Sequence, residues 1–547
     1  MPVNLFTSKR AVSALLWFST TMAASCLAAE AGNSAFAQAR GNGMLANEAY
    51  VRSLRLTKAW LEARDPVSGL IPSRLKGEIK TDRTDVWEPH NAGADNYSFM
   101  TLTAWLLDRP LFENEMTSIL RVERKLTSRF HSLPDNYSFS KRGFQHDEPD
   151  NSRILFAAAE YIKDGLLPLA EYMGRSPWTE RMLGMLDDIP RISRVSRGSQ
   201  MEQYRAVDAE INGNMLQTLS RNYWMTGDQR YLDWATEIGD HYLLGGEDLR
   251  KAGYIRLRDH GCEIIAGLSE LYVTLHFSNR AKKELYKPAL HGLLDDILAV
   301  GRNRHGLFYD AINLRDRSVV ETRIADTWGY IFDAYYAVHL VDTKAPYVEA
   351  ITKALGSLNP HYRNHDWENG SHDGYADSIE SALNMINRIP SPDAEKWIDS
   401  EIKVMWAMQR DNGIVEGWWG DGNFSRTNIM YGLWKTQGAH AIPWREDLMI
   451  GATRENEVLR LVMKSDSAWE GRLLLDRPRH RDFLKLPIDY TRINQFPEWF
   501  TAETDKTYTV SFSGTGEPKA YSGRQLISGI PIKLTAGREL LITVTPR

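Results

Sequence analysis

From about residue 46 to residue 440, apolar residues recur with helical spacing, broken at intervals by loops rich in Gly, Pro, Asn and Asp. The pattern predicts outer helices over about 46–64, 112–130, 178–190, 229–243, 281–300, 344–357 and 395–410. Each is followed by an inner helix, over about 94–108, 152–172, 208–226, 261–277, 326–341, 374–388 and 426–438. Inner segments are the more apolar, rich in Ala, Gly, Leu and Tyr, as helices packed on two sides require. Outer ones carry charge, as in Arg121-Val122-Glu123-Arg124-Lys125. Beyond Gly451 the period changes. Val458-Leu459-Arg460-Leu461-Val462, Gly471-Arg472-Leu473-Leu474-Leu475, Tyr508-Thr509-Val510-Ser511-Phe512 and Leu540-Leu541-Ile542-Thr543-Val544 are strand-forming runs, with turns such as Ser513-Gly514 and Ala536-Gly537 between them. The expected fold is mainly α: an (α/α) toroid of six or seven helical hairpins over 38–450, with a small β-sandwich-like domain over 451–547.

A polar cluster stands at the start of each inner segment. These are Asp95-Asn96-Tyr97, Asp150-Asn151-Ser152, Asp208-Ala209-Glu210, Arg258-Asp259-His260, Ala325-Asp326-Thr327, His372-Asp373-Gly374 and Asp421-Gly422-Asn423. A ring of hairpins whose second members begin with carboxylates gathers those carboxylates at one end, which suits a sugar-binding cleft.

The densest stretch runs from Asn364 to Glu380. Asp373, Asp377, Glu380 and Asn384 fall at i, i+4, i+7 and i+11, one face of a helix whose other faces carry Ile379, Leu383 and Ile386. A buried stripe of like charges needs a cationic partner, a metal, or a carboxyl held protonated, and the last is what a general acid requires. The competing reading is that Asp373 caps the helix and Asp377 favours its dipole. Glu380 lies too deep to cap. Glu210, Asn214, Gln217 and Arg221 form a second stripe; His260 with Glu263, and Asp326 with Tyr330 and Asp333, repeat the theme. Together they predict a polar lumen, an inter-helix hydrogen-bond network being the alternative.

Glu416-Gly417-Trp418-Trp419-Gly420-Asp421-Gly422-Asn423-Phe424-Ser425-Arg426 reads as a loop that presents indoles to sugar rings, with Asp421 and Asn423 beside them for hydroxyls. Trp87-Glu88-Pro89-His90-Asn91 offers a similar platform, and Trp367 another. Core packing is the competing reading for each. Candidate substrate contacts are therefore Trp87, His90, Asn214, His260, Glu263, Tyr330, Trp367, His372, Tyr375, Trp418, Trp419, Asn423 and Arg426. His365, Asp366 and His372 match no zinc spacing, and the chain has neither a phosphate-cradling glycine loop nor a Gly-x-Ser-x-Gly elbow. No metal and no cofactor is expected.

Composition narrows the partners. Net charge is -5, without basic runs, which argues against nucleic acid and anionic membranes. Seventeen Trp and twenty-three Tyr suit both carbohydrate stacking and helix packing. Lys9 and Arg10, the apolar stretch Ala11 to Ala29 and Ala35-Phe36-Ala37 form an export signal over 1–37, with a cut near Ala28 or Ala29 as the alternative. Ser13, Ser19, Thr20, Thr21 and Ser25 interrupt the apolar stretch, so a lasting membrane span is not expected. Ala23-Ala24-Ser25 lacks the large aliphatic residue that would favour lipid attachment at Cys26. A periplasmic or secreted protein follows, with Cys262 as its one cysteine and no internal disulfide.

The helix-pair ring with carboxylates at the inner-helix starts, followed by a small β domain, resembles the six-hairpin glycosidases and the related toroidal polysaccharide lyases. Asp326, Asp373 and Asp421 match by position in the ring. The resemblance implies an exported glycoside hydrolase acting on an oligo- or polysaccharide. One of Asp373, Asp377 or Glu380 would protonate the glycosidic oxygen, and Asp326, Glu210 or Asp421 would activate water or attack the sugar. The second reading is a lyase acting on a uronic-acid glycan, with Tyr362, His365, His372 or Tyr375 as base beside Arg363 and Asn364. The third is a non-catalytic glycan-binding protein.

Overall fold

Small residues decide how closely the inner helices approach. Gly213 in helix Ala209–Thr226 and Gly267 in helix Glu263–Ser278 face each other, and a Cβ on Gly213 would lie 2.3 Å from the Glu263 carbonyl carbon. With backbones in such contact, every residue from Glu263 to Leu275 is buried, which explains the near-continuous apolar sequence there. The computed structural model describes residues 9–75, 82–195, 209–245, 247–259, 261–416, 420–514 and 516–547.

The chain divides into two units, one of Ala49–Tyr431 with Asp476–Thr501, the other of Met1–Glu48, Gly432–Leu475 and Ala502–Arg547. In the first, inner helices occupy 89–107, 151–173, Ala209–Thr226, Glu263–Ser278, Trp328–Asp342 and His372–Ile386, and the seventh, helix Asn423–Thr436, belongs to it as far as Tyr431. Sequential neighbours pack on one another. The ring closes through the seventh: the Thr427 hydroxyl donates to the Ala376 carbonyl at 3.1 Å, while the Arg426 guanidinium lies 5.8 Å from the centre of the Phe99 ring. Of the six or seven hairpins expected, seven inner helices stand among the described residues. Charged outer helices such as Gln229–Leu243, Arg280–Val300, Ala345–His361 and Pro392–Ala407 lie against them. Two inner elements depart from α geometry, with π turns at Pro89–Tyr97 and Tyr161–Leu166 that face each other; a Cβ on Gly165 would meet Ser98 Oγ at 2.5 Å.

The second unit holds two antiparallel sheets. One orders Leu448–Glu455, Val458–Ser465, Leu540–Pro546, Thr507–Phe512 and Lys519–Ser522; the other orders Ile530–Leu534, Trp469–Leu474 and His440–Ile442. Alternating burial along Ile530–Leu534 is the period-two pattern of a half-covered sheet.

The expected division at 450/451 differs from these units. Residues 39–48 join the sheets because Ala39 and Gly43 lie directly on Gly451, where a Cβ would come within 2.0 Å of the Ala39 carbonyl oxygen. Asp476–Thr501 returns to the helical ring because Arg492 and Asn494 are bonded to carboxylates of the inner helices. Among the described residues, no helix is long and apolar enough to cross a membrane.

Candidate active site

Four consecutive inner helices bring an acidic residue to the same end of the ring. Asp259 precedes Glu263–Ser278, Asp326 precedes Trp328–Asp342, Asp373 sits in the first turn of His372–Ile386, and Asp421 precedes Asn423–Thr436. Local bonds join them. The Asp259 N–H donates to Thr327 Oγ1 at 3.0 Å, and the Ser378 hydroxyl donates to the Asp326 carbonyl at 2.9 Å. Asn423 donates from Nδ2 to Asp373 Oδ1 and from its backbone N–H to Asp421 Oδ1, both at 2.7 Å. Glycine is required at 422, since a Cβ there would come within 2.2 Å of the Asp95 carbonyl oxygen.

Glu368 completes this mouth. Its backbone lies in the left-handed region at φ 45°, followed by Asn369 at 59°, a conformation that costs a non-glycine residue energy. The Ser371 hydroxyl donates to Glu368 Oε2 at 2.7 Å and accepts the Gly374 N–H, so Ser371, not Asp373, caps the helix. Asp373 is thereby left to face Asn423 and Asp421. Burial pushes the Asp326 carboxyl up to about 7, with Glu368 and Asp259 adding to the rise. Burial also holds Asp373 well above the usual carboxylate range, reinforced by Asp421, Asp377 and Glu368 and opposed by the Asn423 hydrogen bond. Glu368 is raised chiefly by burial.

Deeper in the ring the carboxylates are partnered. Arg426 reaches Asp377 Oδ1 at 2.7 Å and Glu380 Oε2 at 3.0 Å, so the like-charged stripe is answered by a cation. Tyr330 donates to both carboxylates, at 3.0 and 2.6 Å, and the Asn494 N–H donates to Glu380 Oε1 at 2.7 Å. Burial still raises the Asp377 carboxyl, against the pull of Arg426. Lys163 bonds both Asp164 and Glu263 at 2.7 Å; burial opposes its charge, but these carboxylates raise it. Gln217 donates to Glu263 at 2.6 Å, and Asn214 donates to Glu160, whose carboxyl burial and Asp164 hold well above its ordinary value. At the floor, Arg492 grips Glu171 through two bonds of 2.9 Å, and Arg221 bonds Glu270 at 2.9 Å and Glu171 at 3.2 Å.

Several expected contacts are corrected. Trp87 and Trp367 are 1% and 0% exposed; Trp367 packs on Trp397, His365 and Tyr362, so neither offers a face to a sugar. Both indoles fill spaces between helices, where large apolar rings contribute most. Glu380 is fully buried in its ion pair, which removes it as a proton donor to substrate. Asn214, Glu263, Tyr330 and Arg426 belong to the internal network just described. His372 is buried, its Nδ1 3.3 Å from Glu416, and Tyr375 is buried too. His90 is half-buried against Phe156, Glu210 is buried on helix Ala209–Thr226, and Asn423 stays at the mouth. His260, Trp418 and Trp419 lie outside the described residues.

Glu368, Asp259, Glu160, Lys163, Asp164 and Asn494 were not among the expected site residues. Glu160, Lys163 and Asp164 at i, i+3 and i+4 inside the apolar run Ala157 to Leu167 are a signal the sequence did carry. Asn494 had none. His480, Asp489 and Glu498 bring possible metal-ligand atoms within 4.8 Å of one another. Here His480 Nδ1 already faces Glu498 at 3.0 Å, and Arg388 holds Asp489 at 2.7 Å.

No family model matches the chain, and no curated protein matches it. Solved structures that resemble it include an inactive variant of an α-1,6-mannanase of glycoside hydrolase family 76 from Salegentibacter sp. HEL1_6, in complex with α-1,6-mannotriose. Identity is 15% over 57% of this chain and 96% of that one, with a TM-score of 0.40. A family 76 mannosidase from Bacteroides thetaiotaomicron VPI-5482 matches at 10% identity over 71% and 97%, TM-score 0.39. A family 127 β-arabinofuranosidase matches at 13% over 94% and 77%, TM-score 0.33. Likenesses of this strength assign neither a family nor a substrate to the chain.

Proposed function

We propose that the protein is a glycoside hydrolase whose chemistry is carried by the mouth carboxyls. The observation that carries this reading is the gathering of Asp259, Asp326, Asp373 and Asp421 at one end of four consecutive inner helices, where burial and Glu368 push the Asp326 carboxyl up to about 7. Near neutral pH such a group can hold a proton for the glycosidic oxygen and give it up in the transition state. Asp373, bonded to Asn423, and Asp421, bonded to the Asn423 N–H, stand on the next two helices. Asp421 supplies the second carboxyl that a two-carboxylate mechanism needs, to activate water or attack the anomeric carbon, while Asp373, raised like Asp326, holds a proton beside it.

The lyase reading fits less well. Tyr362 and Tyr375 are buried, and His365 is packed between Tyr362 and Trp367 with its basicity lowered by burial. The proposal extends to an exported protein, which the intact mass of the mature form checks.

Turnover on a panel of neutral and uronate-containing glycans tests the reading. The panel includes α-1,6-mannan and β-arabinofuranosides, the substrates named for the structural neighbours. Release of reducing ends without a rise in ultraviolet absorbance is expected. An unsaturated product would establish the lyase, and tight binding without turnover the glycan-binding protein.

A further inference from the structure

One asparagine from a remote stretch of chain touches three charged groups on three inner helices. Asn494 donates its N–H to Glu380 Oε1 at 2.7 Å, donates Nδ2 to Asp164 Oδ1 at 2.7 Å, and accepts at Oδ1 from Arg426 at 2.8 Å. It is 3% exposed, and its backbone sits at φ 63°, a left-handed conformation that asparagine adopts more readily than most residues. The Arg426 Nη1 that reaches Asn494 also donates to Asn423 Oδ1 at 2.7 Å. A guanidinium can only donate, so Arg426 fixes the orientation of both amides. Asn423 must then turn Nδ2 toward Asp373, and Asn494 must turn Nδ2 toward Asp164. The bonds form one unbroken chain: Asp164, Asn494, Arg426, Asn423, Asp373.

We infer that Asn494 is a positioning residue for the reaction at the mouth: by pinning Arg426 it fixes the Asn423 amide, and so aims the carboxyl of Asp373. This rests on the hydrolase reading above. Asp373 is faced by Asp421, Asp377 and Glu368, all of which favour its protonated form, and by the Asn423 amide, which favours the charged form. Around Asn494 stand Asp164 with its partner Lys163, Glu380 with Tyr330, and Arg426 with Asp377. Loosening the Asn423 donor therefore moves Asp373's titration upward.

Asn494→Gly is the informative variant. Glycine accepts the left-handed backbone without strain and keeps the N–H to Glu380, so only the side-chain amide is lost. On the glycan the wild type hydrolyses, kcat per folded molecule is expected to fall about 10- to 100-fold with KM unchanged, the size of effect a small misplacement of a reacting group produces. The infrared band of protonated carboxyls, followed against pH with Asp373→Asn to identify its share, reads the same positioning without substrate. Asp373's midpoint is expected to rise by about half a unit or more in Asn494→Gly. A merely structural asparagine would lower Tm and leave kcat, KM and the Asp373 midpoint where they are, and that result overturns the proposal. If the wild type turns over no glycan in the panel, the hydrolase reading fails. The infrared titration then decides the positioning by itself.

Discussion

The mouth and the floor of the ring both gather carboxyls from the inner helices, yet those carboxyls have different neighbours. At the floor, Glu171 and Glu270 are each held by a buried arginine, Arg492 or Arg221, at 2.9 Å. At the mouth, Asp326, Glu368 and Asp373 crowd one another, and burial raises all three. A carboxylate on an inner helix is therefore not a catalytic residue by virtue of its place in the stripe. Burial raises Glu270 as well, so what separates the two sets is what answers it: Arg221 and Arg492 oppose the rise at Glu270 and tie its charge to neighbouring elements, whereas Asp326, Glu368 and Asp373 stand among further carboxyls that add to the rise. Arg426 marks the border. It satisfies Asp377 and Glu380 below while setting the Asn423 amide that faces Asp373 above.

The largest effects should fall on turnover at the mouth. Asp326→Asn and Asp373→Asn each keep volume and remove a titrating group, and each is expected to cost about 10² to 10⁴ in kcat, read under saturating glycan. Removing the border cation should act on stability instead. Arg426→Met leaves two buried carboxylates facing each other without a cation, and denaturant unfolding should show a loss of about 3–5 kcal/mol.

Asp326→Asn has a second consequence of the opposite sign. Its folded value of about 7 lies above the ordinary 3.8, so the native state binds the proton more tightly than the unfolded chain does. The stability tied to that proton is complete below pH 4 and is lost as pH rises through 7. A neutral amide escapes that loss, and at pH 8 the variant should be more stable than wild type by up to about 4 kcal/mol. The smallest effect concerns Glu368. Its negative charge helps to raise Asp326, so Glu368→Gln should draw the alkaline limb of the kcat profile to lower pH, by about half a unit to one unit. A limb that stays in place would mean that Asp326 is not the group being titrated.

The sequence made the ring legible because its inner helices bury both sides, and continuous apolar runs with helical period follow from that. It also showed Asp326, Asp373 and Asp421, since acidic residues at helix starts interrupt the apolar pattern at fixed places. Periodicity could not say which carboxylates are neutralised. Asp373 and Glu380 occupy the same stripe, and the difference between them lies in Arg426 on another helix and Asn494 more than a hundred residues further along the chain. Glu368 was hidden for a related reason, because it reaches the mouth through a left-handed backbone that no helical template contains. Tryptophans misled in the other direction: Trp87 and Trp367 sit among polar residues in sequence and are core in space.

The most direct test of the division between mouth and floor is to measure kcat per folded molecule and Tm side by side for Asp326→Asn, Asp373→Asn and Glu270→Gln. That division requires the two mouth variants to lose at least about a hundredfold in kcat with Tm kept or raised, while Glu270→Gln melts lower and keeps kcat within about threefold of wild type. It is contradicted if Glu270→Gln loses turnover as the mouth variants do, or if both mouth variants keep more than about a tenth of wild-type kcat.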